Sequence, residues 1–181
     1  MSIFLKMKRN ACICTAVICA LIVVAVSLKN TAQDEEEYFY ALKGISYSME
    51  LLMTDVDACN ANAYRQHYSL FLKSVGRTQQ AKTMVYINDN VAEKVRTFLL
   101  CSTYIDSLLK GPFLIDDCVD TYEFKLAKQY FEILSHSLTN ATSFKHLLSL
   151  LDDNPDVAAW VIAYQEYRES DGNFTSARKP N

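Results

Sequence analysis

The sequence predicts an all-α fold, an antiparallel up-and-down helical bundle preceded by a short N-terminal helical segment. Apolar residues recur at intervals of three and four along most of the chain, which is the spacing of amphipathic helices. No segment alternates strictly enough between apolar and polar residues to indicate a strand. The 181 residues include only 4 Gly and 3 Pro, too few for the many turns of a β-sandwich or barrel.

Residues 1–32 form a predicted signal peptide or signal-anchor. Three basic residues at positions 6–9 precede an uncharged, mostly apolar run of 18 residues, 11–28. Cleaved signals have an apolar stretch of about 7–15 residues and spanning helices about 20, so this run falls between the two classes. A cleaved signal is favoured, because Ala25-Val26-Ser27 has small residues at cleavage spacing, with Asn30-Thr31-Ala32 as a weaker site. Either interpretation places the rest of the chain in the secretory lumen or outside the cell.

Residues 33–58 form a predicted acidic N-terminal segment and helix. The acidic run 34–37 precedes a helical pattern over Tyr38–Met53, and negative charge favours a helix N-terminus. An alternative interpretation makes the same run a solvated tail after the cleavage site. Residues 59–181 form the predicted helical bundle.

Within the bundle, the apolar period predicts helices over Ala63–Lys73 and Gln79–Leu109, and Gly111-Pro112 ends the second of these. Asp116 or Asp117 is the expected cap of the next helix, which runs to about Ser137. A short helix is predicted over Ser143–Leu151. The last helix begins at Asn154-Pro155-Asp156, which supplies a cap, a proline at the first helical position and an acid in the first turn.

Three cysteines lie beyond the leader, Cys59, Cys101 and Cys118. An odd number in an oxidising compartment leaves at least one free or paired with another chain. Cys101 and Cys118 flank the predicted turn at unequal offsets, so their Cα atoms should exceed the disulfide window of about 4.4–6.8 Å and stay unbonded. A bond between Cys59 and Cys118 is left open. Two sequons predict N-glycosylation at Asn140 and Asn173, in agreement with secretion.

No catalytic motif is recognisable, and the protein is predicted not to be an enzyme, with no catalytic, cofactor-binding or metal-binding residue. The histidines His67, His136 and His146 match no usual ligand spacing. The pairs Asp116-Asp117 and Asp152-Asp153 lie near predicted helix starts, where capping explains them. Residues 33–181 carry 14 basic and 21 acidic side chains, a net charge of −7, which disfavours nucleic-acid binding.

Three segments resemble motifs of the plant invertase and pectin methylesterase inhibitors. Residues 117–122 (Asp-Cys-Val-Asp-Thr-Tyr) resemble the third-cysteine motif, D-C-x-x-x-Y, which opens the second half of that family's four-helix bundle. Residues 157–163 resemble the W-[LV]-S-A-A stretch, and residues 59–64 resemble the first-cysteine motif, C-x-x-T-x-Y, with Asn for Thr. The resemblance spans about residues 45–174. The family-motif residues are Cys59, Tyr64, Cys118, Tyr122 and Trp160.

The chain departs from the family pattern at its disulfides and at its end. The family's second cysteine falls at Tyr68 and its fourth near Asp171, so neither family disulfide can form. The family's last long helix would follow Asp171, where this chain has ten more residues, and its loss would expose an apolar groove. We expect helix Tyr38–Met53 or a second copy of the chain to fill that groove.

The resemblance implies a secreted, non-catalytic inhibitor of the cell wall, or apoplast, that forms a stoichiometric complex covering its target enzyme's cleft. Pectin methylesterase is favoured over invertase as the partner, because Pro155-Asp156-Val157 has an acid where invertase-directed members carry Pro-Lys-Phe. The alternative is a membrane-anchored or secreted helical interaction protein without inhibitory activity. Residues 11–28 would then persist as the anchor.

Overall fold

The computed structural model describes residues 2–82, 85, 87, 90–109 and 121–170, with side chains from Val17 onward. The predicted all-α class is confirmed, because these residues contain helices and turns and no strand. The up-and-down order of a regular bundle stays a prediction. The helices are α1 (Ser2–Asp57), α2 (Ala61–Lys82), α3 (Glu93–Cys101), α4 (Ile105–Leu108), α5 (Tyr122–Asn140), α6 (Phe144–Asp152) and α7 (Pro155–Glu169).

Helix α1 is much longer than the short N-terminal segment that we predicted. It has 56 residues and continues without a break from the leader through the acidic run 34–37. No Gly or Pro occurs before Gly44, and Ala, Leu, Lys and Glu are strong helix formers. In the full-length chain the acidic run therefore lies inside a helix, so the prediction that a helix begins there was wrong. The alternative, a solvated tail after cleavage, stays a prediction.

Helices α1 and α2 form a hairpin joined at Cys59. The Asn60 amide donates to the Asp55 carbonyl at 2.7 Å and the Cys59 amide to the Val56 carbonyl at 2.9 Å, which is the Schellman pattern of a helix end. Cys59 adopts φ 52°, a left-handed conformation that costs a non-glycine residue about 1–2 kcal/mol. The Asn60 side chain accepts from the Ala63 amide at 3.1 Å and so caps α2.

The second half of α1 belongs to the hydrophobic core. Helix α1 packs against α2 within the hairpin and also against α5 and α6. Its fully or nearly buried apolar side chains are Tyr38, Phe39, Leu42, Ile45, Met49, Leu52 and Met53. The helix that we expected to fill the exposed groove is therefore a core element, and we call the described part of residues 38–170 the helical domain.

The predicted single helix over Gln79–Leu109 was wrong. Helix α2 ends at Lys82, α3 begins at Glu93, and α3 and α4 are separated by a turn at residues 102–104. In that turn the Ser102 and Thr103 amides donate to carbonyls three residues back, at 3.2 and 3.4 Å. Asn, Asp, Ser and Thr compete for backbone hydrogen bonds and favour such breaks, which the apolar stripe concealed.

Local capping signals in the last third were more informative. Ser143 caps α6 by accepting from the His146 amide at 3.2 Å. Asn154 caps α7 by accepting from the Asp156 amide at 2.9 Å, with Pro155 at the first helical position, as predicted. Helix α5 instead begins at Tyr122 with Thr121 as its cap. Asp116 and Asp117, which we had expected to cap it, lie outside the described residues.

Candidate interaction surfaces

The first part of α1 exposes apolar side chains all around its circumference. The described side chains from Val17 to Gln33 are all exposed, and no residue of the most apolar stretch of this helix is buried. The four consecutive residues 21–24, which point in different directions around the helix, are between 54% and 64% exposed. Soluble proteins seldom expose so large an apolar patch. Val17–Asp57 is the one helix within the described ranges that is long and apolar enough to cross a bilayer.

The far end of the α1–α2 hairpin combines a disulfide with a buried carboxylate. Asp55 Oδ2 lies 2.6 Å from His67 Nδ1, and only 9% of the Asp55 side chain is exposed. Lys128 of α5 reaches Asp57 at 3.4 Å. Cys59 is disulfide-bonded. Cys118 lies outside the described residues, so the Cys59–Cys118 pairing stays a prediction.

The histidines have unrelated surroundings. His67 contacts Asp55, whereas His146 Nδ1 lies 3.2 Å from the Thr142 hydroxyl at the start of α6, and His136 lies on the exposed side of α5. The part of the chain with described side chains contains no group of three side chains that could hold a metal ion.

Cys101 is free, which confirms that it does not bond to Cys118, and it lies beneath a shallow groove of about 440 Å³ between α3 and α7. Cys101 is 4% exposed. Burial raises the pKa of the Cys101 thiol to about 12, and hydrogen bonding from Tyr164 together with the positive charges of Arg168 and Lys82 offsets only part of that effect. The thiol is therefore protonated near neutral pH, which disfavours it as a nucleophile.

The family-motif residues occupy structural positions. Tyr64 is buried and stacks on Tyr68 at a ring separation of 5.8 Å. Trp160 is 3% exposed, and its Nε1 donates to the Leu126 carbonyl at 2.8 Å. Tyr122 is half-buried at the start of α5. Tyr64 and Trp160 therefore pack the core of the helical domain, and Cys118 lies outside the described residues.

The two predicted glycosylation sites differ in what the structure says of them. Asn140 is exposed at the last residue of α5, and its Nδ2 donates to the His136 carbonyl at 3.0 Å. This position is sterically open to modification. Asn173 lies outside the described residues.

A second groove, which the sequence analysis did not identify, lies between α5 and α7. It has a volume of about 670 Å³. The apolar lining consists of Ile133, Ala159, Ala163 and Trp160, and polar side chains of both helices form the remainder. The sequence of α5 indicates part of this lining, since Glu132 and His136 are four residues apart and share one face of the helix. The packing of α5 against α7 cannot be predicted from neighbouring residues, because it is a tertiary contact.

No protein-family model, no characterised protein and no solved structure matches this chain.

Proposed function

We propose that this chain is a single-span membrane protein whose helical domain is a non-catalytic interaction module outside the cytosol. The observation that carries this proposal is the apolar, fully exposed segment of α1. Transfer of apolar surface from water into hydrocarbon yields roughly 25 cal/mol per Å². A bilayer therefore accounts for a surface that would be unfavourable in water.

The charges at the two ends of the apolar run support one orientation. Positions 6–9 carry three basic residues before the run, and positions 34–37 carry four acidic residues after it. Positive charge is retained on the cytosolic side of short membrane flanks. The N-terminus would thus be cytosolic and the helical domain outside, where the disulfide of Cys59 is stable.

The continuity of α1 supports retention of the anchor. Both candidate cleavage sites, after Ser27 and after Ala32, lie inside the helix, whereas proteolysis favours flexible segments. Tyr38, the first core residue, lies ten positions after Leu28, so the helical domain would stand about 15 Å beyond the apolar run.

Membrane extraction tests this proposal. We expect the full-length chain to resist alkaline carbonate extraction, and mass spectrometry to find residues 11–28 in the mature protein. Val23→Arg, in the middle of the apolar run, should convert a large fraction to the soluble form. Tyr47→Arg, at an exposed position of the helical domain, should have no such effect. A mature N-terminus at Leu28 or Gln33, with quantitative release by carbonate, would refute the anchor.

Inhibition of pectin methylesterase is the second candidate. It is supported by the sequence resemblance, two of whose residues, Tyr64 and Trp160, are buried in the helical domain. The test is a one-to-one complex with a pectin methylesterase accompanied by loss of its activity. The absence of both at micromolar concentration excludes this function and leaves the interaction module unaffected.

A further inference from the structure

The groove between α5 and α7 combines an apolar floor with two carboxylates that form no ion pair within the described part of the chain. Glu132 of α5 and Asp156 of α7 line it, and neither forms an ion pair with any residue that the structure describes. The acids Asp152 and Asp57, by contrast, contact Lys94 and Lys128.

The lining contains no lysine or arginine. Besides the two carboxylates, its polar side chains are Gln129, His136 and Asn154. The region from residue 33 onward is itself strongly acidic, with 14 basic and 21 acidic side chains. The groove therefore complements a cationic partner and repels an anionic one.

The shape of the groove fits a helix. Ala159 and Ala163 are one turn apart on α7, and small side chains at this spacing let another helix approach closely. The lining extends from Gln129 to His136 on α5, a length of about 10 Å, which matches two turns of a packed helix. Addition of a strand is not available, since the described part of the chain offers no sheet edge.

We propose that the groove between α5 and α7 binds a basic amphipathic helix of a partner protein, with apolar residues on its floor and Lys or Arg beside Glu132 and Asp156. This inference rests on the proposed role as an interaction module but not on the anchor, because the groove lies wholly within the helical domain. A cleaved leader would leave it intact.

The single tryptophan gives a direct probe. Trp160 lines the groove and is the only tryptophan in the chain. We would place the full-length protein in nanodiscs of zwitterionic lipid and titrate it with a Leu/Lys helical peptide that lacks aromatic residues. A Leu/Glu peptide of the same length and apolar pattern is the comparison. We expect a saturable change in Trp160 emission with the basic peptide, and at least tenfold weaker binding of the acidic one.

Matched variants localise the binding. Glu132→Gln with Asp156→Asn should weaken the basic peptide about two- to thirtyfold, the range expected from two exposed ion pairs. Asp153→Asn with Glu166→Gln changes the net charge equally outside the groove and should alter affinity less than about twofold. Ala159→Lys adds bulk and positive charge to the floor and should weaken binding at least tenfold.

Three results would overturn the proposal. One is the absence of a saturable response to the basic peptide. Another is equal weakening by the groove pair and the control pair, which would indicate attraction to the acidic domain as a whole. The third is unchanged affinity in Ala159→Lys. Persistence of groove binding in a chain that carbonate extracts would refute the anchor alone.

Discussion

The place of α1 in the core makes one substitution especially informative, Leu42→Ala. The Leu42 side chain is 0% exposed, and it lies in the half of α1 that packs against the rest of the helical domain. Leu and Ala are both strong helix formers, so the change leaves the helix intact and removes only packing. A matched control is Tyr47→Ala, because Tyr47 is 63% exposed on the same helix.

The expected magnitude follows from burial. Truncation of a fully buried Leu removes its transfer free energy and leaves a cavity, at a cost of about 2–5 kcal/mol in the free energy of unfolding. A change of 1 kcal/mol moves the Tm of a protein of this size by about 2–4 °C, so we expect a decrease of about 4–20 °C. The Tyr47→Ala control should change the free energy of unfolding by less than about 0.5 kcal/mol.

Denaturant unfolding of the full-length chain, followed by Trp160 fluorescence and far-UV circular dichroism, measures this difference. Trp160 lies in the core of the helical domain and reports on loss of tertiary packing. The reasoning would be refuted if Leu42→Ala and Tyr47→Ala had equal effects. That outcome would mean that α1 packs on the domain without stabilising it.

Three further predictions concern the helical domain. Asp55→Ala should lower the free energy of unfolding by about 1–3 kcal/mol, because it leaves His67 without its 2.6 Å partner. Asp57→Ala, which removes only the contact with Lys128, should lower it by less than about 1 kcal/mol. Equal losses in urea denaturation would contradict this prediction. Burial raises the pKa of both Tyr38 and Cys101 to about 12, above their ordinary values of 10.0 and 9.0. The free energy of unfolding should therefore be highest below pH 9 and should fall as the pH rises towards 12. Denaturation measured at stepped pH should show a smaller decline for Tyr38→Phe. Alkylation of Cys101 at pH 8 should accelerate on unfolding, and equal rates in folded and unfolded protein would contradict its burial.

The sequence predicted well where the signal is local. The predicted cap at Asn154 acts on an amide two residues away, so its residue type and the proline that follows it were sufficient. It failed over Gln79–Leu109, where a regular apolar stripe masked two interruptions. Periodicity reports which side chains are buried, and a core side chain keeps that spacing even when the backbone turns between helices.

The candidate sites also differ in whether neighbouring residues are enough to predict them. Asn140 was identified from a three-residue pattern, and its exposure at the end of α5 agrees with it. The contact between Asp55 and His67 crosses a turn and joins two helices, so neither residue alone indicates it. Glu132 and Asp156 face a common groove only because α5 and α7 pack together.

By itself the sequence determined the all-α class, the apolar leader with its flanking charges, and the Asn154 cap of α7, because each depends on composition or on neighbours within a few residues. Only the tertiary structure decided that residues 38–53 belong to the core, that α1 continues from the leader into it, and that α5 and α7 enclose an acidic groove. These features depend on which helical faces meet, and that choice is made by the burial of apolar surface over the whole domain.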